Sequence, residues 1–147
     1  MARRFLLSVI LALSAASAFS GALASAQGPP STLTVGASSY GRVLFDGRGF
    51  ALYGFTRDPR SKSVCAGACA KAWPPYVVKT RPRAAAGVNA RLLGTTRRAN
   101  GAVQVTYAGR PLYYYVGDRK AGQVLCQNVS EFGGIWRVIR PTGGLVR

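Results

Sequence analysis

The chain has 147 residues, with 20 lysines and arginines against four aspartates and glutamates, three cysteines, one methionine and no histidine, for a formal net charge of +16. Without histidine, Ser-His-Asp and Cys-His catalysis are excluded, and so is a blue-copper centre, since Met1 is the lone methionine. So basic a balance points to a solvated cationic surface or to adhesion to an anionic partner.

The first 26 residues read as a secretory signal peptide. Arg3 and Arg4 form a basic start, Phe5 to Phe19 is an uncharged, mainly apolar run, and Ala24-Ser25-Ala26 is a small-x-small cleavage site. The apolar run is shorter than the roughly 20 residues that a membrane span needs. Cleavage would make Gln27 the mature N-terminus and leave 18 basic against four acidic residues, a net charge near +14. No cysteine follows the cleavage site and no other stretch could span a bilayer. The expectation is therefore an exported protein, periplasmic or extracellular and not lipid-anchored, with one domain over 27–147.

Strands and turns then alternate. Thr32 to Ser38 predicts a strand, Ser39-Tyr40-Gly41 a turn, Arg42 to Phe45 a second strand, Asp46-Gly47 a hairpin and Phe50 to Phe55 the return. A short helical or irregular segment is expected near 63–73. It leads to Trp73 and a short apolar strand, Tyr76 to Val78. Residues 80–90 read as a linker. Leu92 to Arg98 then predicts a strand, Ala99-Asn100-Gly101 a turn, Val103 to Tyr107 a strand, Ala108-Gly109 a turn and Pro111 to Val116 a strand. Trp136 to Ile139 predicts the last one.

This order is a repetition. GRVLFDGRGFALYGFTRD, Gly41 to Asp58, aligns without a gap with GAVQVTYAGRPLYYYVGD, Gly101 to Asp118. The two copies share a Tyr-x-aromatic-x-x-Asp signature: Tyr53, Phe55 and Asp58 in the first, Tyr113, Tyr115 and Asp118 in the second. The fold expected is all-β, with two tandem repeats (32–79 and 91–143) of about four antiparallel strands. A lone unit could not bury its apolar face. The two are therefore expected to pack with pseudo-two-fold symmetry around Leu52, Tyr53, Leu112, Tyr113, Trp73 and Trp136.

The signature reads first as architecture. Tyr53 and Phe55, like Tyr113 and Tyr115, are two apart on a strand and share a face. Asp58 and Asp118 follow the strand, where a carboxylate fixes a turn. In so basic a protein each is expected to meet a guanidinium or several donors, with its pKa lowered. The functional alternative brings Asp58 and Asp118 together on a hard cation, although Ca²⁺ usually wants six to eight oxygens. No metal site, cofactor or catalytic constellation is expected, and both GxxxxGK and GxGxxG are missing. An enzyme here would have to rely on Asp, Glu131, Lys, Tyr or Cys alone.

Cys65, Cys69 and Cys126 allow three single bridges and leave one thiol over. A bridge from Cys126 would staple the two units, whereas Cys65 to Cys69 would close a tiny loop. The alternatives are a three-thiolate metal site or a CxxxC redox centre.

SVCAGACAKAWPPY (Ser63 to Tyr76), ALYGFTRD (Ala51 to Asp58), PLYYYVGD (Pro111 to Asp118) and FGGIW (Phe132 to Trp136) resemble the bacterial secreted-repeat and lipoprotein family with the Yx(FWY)xxD motif. The resemblance runs from about Gly41 to Gly144. It implies export, a largely undefined function and no catalytic residues. The cysteine pair in that pattern implies a Cys65–Cys69 disulfide.

The function expected is a non-enzymatic binding or structural module of the cell envelope, meeting an anionic polymer or membrane surface. Nucleic acid is not the expected partner, since export argues against gene regulation. The alternative is a thiol-redox or electron-transfer accessory protein using Cys65 and Cys69, with a thiolate favoured by Arg60, Lys62 and Lys71.

Overall fold

The computed structural model describes residues 30–147, so the expected signal peptide and its cleavage site lie outside the described residues. Among the described residues, no helix is long and apolar enough to cross a membrane.

Strand β1 (Thr32–Ser38) pairs antiparallel with β2 (Gly41–Asp46), with Leu33 opposite Asp46 and Ser38 opposite Gly41. Asp46 then turns the chain. Its Oδ1 accepts the backbone N–H groups of Arg48 at 2.9 Å and Phe50 at 3.0 Å, the local bonding that makes aspartate a turn residue. Only Tyr53–Phe55 of the expected return strand is regular; this is β3. One helical turn, α1 (Ala68–Ala72), precedes Trp73. The expected strand at Tyr76 to Val78 is an extended run with a single bridge, Val77 to Gln104. The 80–90 segment contributes a short strand, β4 (Arg83–Ala84), parallel to β1.

After a 3₁₀ turn at Ala90–Leu92 come β5 (Leu93–Arg97), β6 (Val103–Tyr107) and β7 (Arg110–Pro111). The strand expected over Pro111 to Val116 stops at Pro111, because Tyr113 leaves this sheet to bridge Tyr53 and Pro75. Strand β8 (Val129–Glu131), not foreseen, forms a hairpin with β9 (Gly134–Val138). Phe132 and Gly133 at its tip have φ of 54° and 76°, the paired positive values of a type I′ turn. The strands make three sheets, ordered β2-β1-β4, β3-β9-β8 and β5-β6-β7. The architecture is all-β, as the repeat predicts.

The fourth segment of each repeat crosses to the other repeat. Strand β9, from the second, pairs with β3 of the first, setting Tyr53 opposite Val138 and Phe55 opposite Trp136. In return, the segment after Trp73 lies along the second repeat. Pro75 bridges Tyr113, Tyr76 N–H donates to Leu112, and Val105 N–H donates to Tyr76 at 2.9 Å. Leu44 N–H donates to Ile139 at 2.9 Å as the counterpart. The two repeats therefore exchange their fourth segments.

The gapless alignment also hides a compensated slip. With β3 and Tyr113 in register, the counterpart of Leu33 opposite Asp46 would be Leu93 opposite Thr106. The observed partner is Tyr107. The first turn of the second repeat is one residue longer, and its second turn is one residue shorter. Phe45 faces Ala51, but Thr106 faces Pro111.

Consecutive residues point to opposite faces, so Leu52–Tyr53 and Leu112–Tyr113 each feed two clusters. Leu52 and Leu112 pack with Leu33, Leu44, Tyr76, Val105 and Ile139. Tyr53 and Tyr113 pack with Phe55, Trp73, Trp136, Cys65 and Cys69.

Candidate functional site

Tyr53 and Tyr113, equivalent residues of the two repeats, exchange both backbone hydrogen bonds. Tyr53 N–H donates to Tyr113 at 2.8 Å, and Tyr113 N–H donates to Tyr53 at 2.9 Å. Their phenols then cross over. Tyr53 Oη donates to Asp118 Oδ2 and Tyr113 Oη donates to Asp58 Oδ2, each at 2.6 Å. The second carboxylate oxygens fasten the following loops, Asp58 Oδ1 to Val64 N–H at 2.8 Å and Asp118 Oδ1 to Leu125 N–H at 3.0 Å. Each signature tyrosine thus binds the signature aspartate of the opposite copy.

The tryptophans complete the junction. Trp73 and Trp136 stack with ring centroids 4.1 Å apart and planes 3° from parallel. Phe55 stacks on Trp136 at 4.2 Å, and Tyr115 lies on Trp73 at 4.8 Å, tilted by 38°. Tyr53 meets Trp73 edge-on at 5.3 Å and Tyr113 meets Trp136 edge-on at 5.1 Å. The stacked and tilted contacts of Phe55 with Trp136, Tyr115 with Trp73 and the two indoles with each other join the copies, whereas the two edge-on contacts lie within a copy. The indoles differ in their polar ends: Trp73 Nε1 donates to Glu131 at 2.8 Å, while Trp136 Nε1 is buried with no partner among the described residues.

The electrostatics correct one expectation. Neither signature aspartate has a guanidinium partner within ion-pair distance; the ion pair found among the described residues is Arg48 with Asp46, at 2.8 Å. Burial pushes the Asp58 and Asp118 carboxyls above the usual carboxylate range, and the tyrosine and backbone donors offset this only in part. Burial, reinforced by the carboxylate partners, drives the Tyr53 and Tyr113 phenols well above 10.0.

Cys65 and Cys69 form a disulfide, and Cys126 is free and partly buried. That removes the three-thiolate site and the Cys126 staple. Burial also raises the Cys126 thiol. Among the described residues, no group of three His, Cys, Asp or Glu side chains gathers to hold a metal ion.

Two further clamps join the repeats. Arg98 donates through Nη1 to Ser63 Oγ and Gln104 Oε1 at 2.7 and 2.6 Å, and through Nη2 to the Cys65 carbonyl at 2.6 Å. Tyr114 Oη donates to Asp46 Oδ2 at 3.0 Å, from one copy to the other. The turn at Asp46 is legible in the sequence as the Asp46-Gly47 pair. Nothing in the sequence signals that Arg98 or Glu131 reaches across.

All four carboxylates, Asp46, Asp58, Asp118 and the exposed Glu131, thus accept hydrogen bonds within the fold. The cations are not: of the 18 lysines and arginines in the described residues, 15 are exposed.

A model of a family described as a secreted repeat of unknown function matches the chain twice, over residues 34–76 and 94–140. No curated protein and no solved structure matches it. The two matched segments hold both signature tyrosines, both signature aspartates and both tryptophans, and the chain belongs to this family of secreted repeats, Lipoprotein_15.

Proposed function

We propose that this exported protein is a non-enzymatic binding module of the bacterial cell envelope, held to an anionic polymer or membrane surface by its cationic exterior. One observation carries the reading: every carboxylate accepts a hydrogen bond within the fold and only Glu131 among them is exposed, while 15 cationic residues are exposed. The surface is therefore dominated by positive charge, with Glu131 the exposed acid among the described residues, and such a field attracts polyanions and anionic headgroups. The signature residues serve this role indirectly, by locking two repeats into one rigid carrier. The phenols and carboxylates of the signature are bonded to each other, which supports a structural role for them.

The thiol-redox reading is weaker. Cys65 and Cys69 are 1% and 7% exposed and lie in the aromatic cluster, whereas exchange chemistry needs an accessible sulfur.

Co-sedimentation with anionic and with neutral vesicles tests the proposal. The screening length shrinks from about 30 Å at 0.01 M salt to about 3 Å at 1 M. Binding to the anionic vesicles alone, lost at the higher salt, is the expected result. Equal binding to neutral vesicles, or none to either, contradicts it.

A further inference from the structure

The edge of the β5 sheet is open. Among the described residues, strand β5 pairs with β6 on one side and with no strand on the other. The ladder fixes which groups face outward. Ala108 N–H donates to Leu92 at 2.8 Å and Arg98 N–H donates to Ala102 at 2.9 Å, so the even-numbered residues bond toward β6. By the pleat, Thr95 and Arg97 direct their N–H groups away from β6. Strand β4 has the same property. Arg83 and Ala85 donate inward to Ser31 and Leu33, which leaves the N–H of Ala84 between them directed outward.

The two open edges border one cavity of about 310 Å³, lined by Leu93, Gly94 and Thr95 on one side and by Arg81, Pro82 and Ala84 on the other. The slot carries the Arg81 guanidinium and no carboxylate, and exposed Arg83, Arg91 and Arg97 flank it in the chain.

We infer that this slot is a strand-addition site for an extended acidic peptide segment of a partner protein. An added strand would take the Thr95 and Arg97 donors, as in recognition by β-augmentation. Its carboxylates would meet the arginines at the rim. A second copy of this chain is the poorer occupant, because it would bring the same cations against them, and edge cations discourage self-pairing.

The test uses the exported chain and a labelled peptide of alternating valine and glutamate, with a second peptide of equal charge interrupted by prolines. The first peptide should bind and should slow amide exchange at Thr95 and Arg97; the second should not. Thr95→Pro removes a donor that no strand of the fold uses, and proline is tolerated at such an edge. It should weaken the first peptide by roughly tenfold, the loss of about one hydrogen bond, while leaving binding to anionic vesicles unchanged. Arg81→Glu should weaken the peptide as well, and it keeps the test open if Thr95→Pro fails to fold. No binding of the valine–glutamate peptide, equal binding of both peptides, or Thr95 and Arg97 amides already protected in the free protein would each overturn the proposal. Unaltered binding by a folded Thr95→Pro variant would do the same.

Discussion

Tyr53 donates its phenolic hydrogen to Asp118 at 2.6 Å across 65 residues of sequence, and Tyr113 makes the matching bond to Asp58. The repeated motif is therefore completed between copies rather than within one. Neither copy can satisfy its own buried phenol and carboxylate alone, which ties the sequence repetition directly to the stability of the pair.

Breaking one such bond leaves a buried partner unsatisfied. Asp118→Ala and Asp58→Ala should each cost about 1–3 kcal/mol of stability, measured by denaturant unfolding without any added ligand. A cycle of Tyr53→Phe and Asp118→Asn should give a coupling of about 1 kcal/mol, within the range for contacting residues. Additive effects in that cycle would show that the bond contributes nothing specific.

Burial raises the pKa of Asp58 and Asp118, so the native state holds their protons to higher pH than the unfolded chain does. Between the ordinary value of 3.8 and the raised one, the native state binds more protons, and stability must fall as pH rises through that window. Melting curves should show a gain on acidification through it, and Asp58→Asn with Asp118→Asn should remove that gain. The phenols of Tyr53, Tyr76, Tyr113 and Tyr114 are also raised above 10.0. Their contribution is complete below pH 10 and is lost above it, so melting should shift downward only in alkali. With the unfolded tyrosine value at roughly 10, a melting temperature that stays flat from about pH 9 to about pH 11 would contradict this.

The folded chain should titrate with a single free thiol, Cys126. Its reaction should be slow, because burial raises the thiol and so depletes the thiolate. Replacing Cys65 and Cys69 by serine should cost about 2 kcal/mol, the entropy of so short a loop. Two or more titratable thiols in the native protein would remove the disulfide from the account.

Much of the architecture was legible because the chain states it twice. Turn residues and the repeated Tyr-x-aromatic-x-x-Asp marked the strands, and the apolar pairs at Leu52–Tyr53 and Leu112–Tyr113 marked the core. What stayed hidden depends on which copy a segment meets. Trp136 to Ile139 has the same pattern whether it returns to its own repeat or crosses to β3, so periodicity cannot choose. The one-residue slip at β6 was masked because a longer first turn and a shorter second turn cancel, restoring the register at Tyr113. For the aspartates, the net charge suggested arginine partners and lowered pKa values. Burial reverses that sign, against the lowering effect of the phenol donors, and neither is visible before the fold is known.

The central claim is that the two repeats are one interlocked unit, and the most direct measurement cuts the chain at its exposed loop after Gly87. Fragments 30–87 and 88–147, prepared separately, should each give the collapsed amide spectrum of an unfolded chain. Each lacks the other's fourth strand, indole and carboxylate. Mixed in equal amounts, they should recover dispersed amides and the near-ultraviolet signal of the stacked Trp73 and Trp136. A native-like spectrum from either fragment alone would show that a repeat folds by itself and would contradict the exchange.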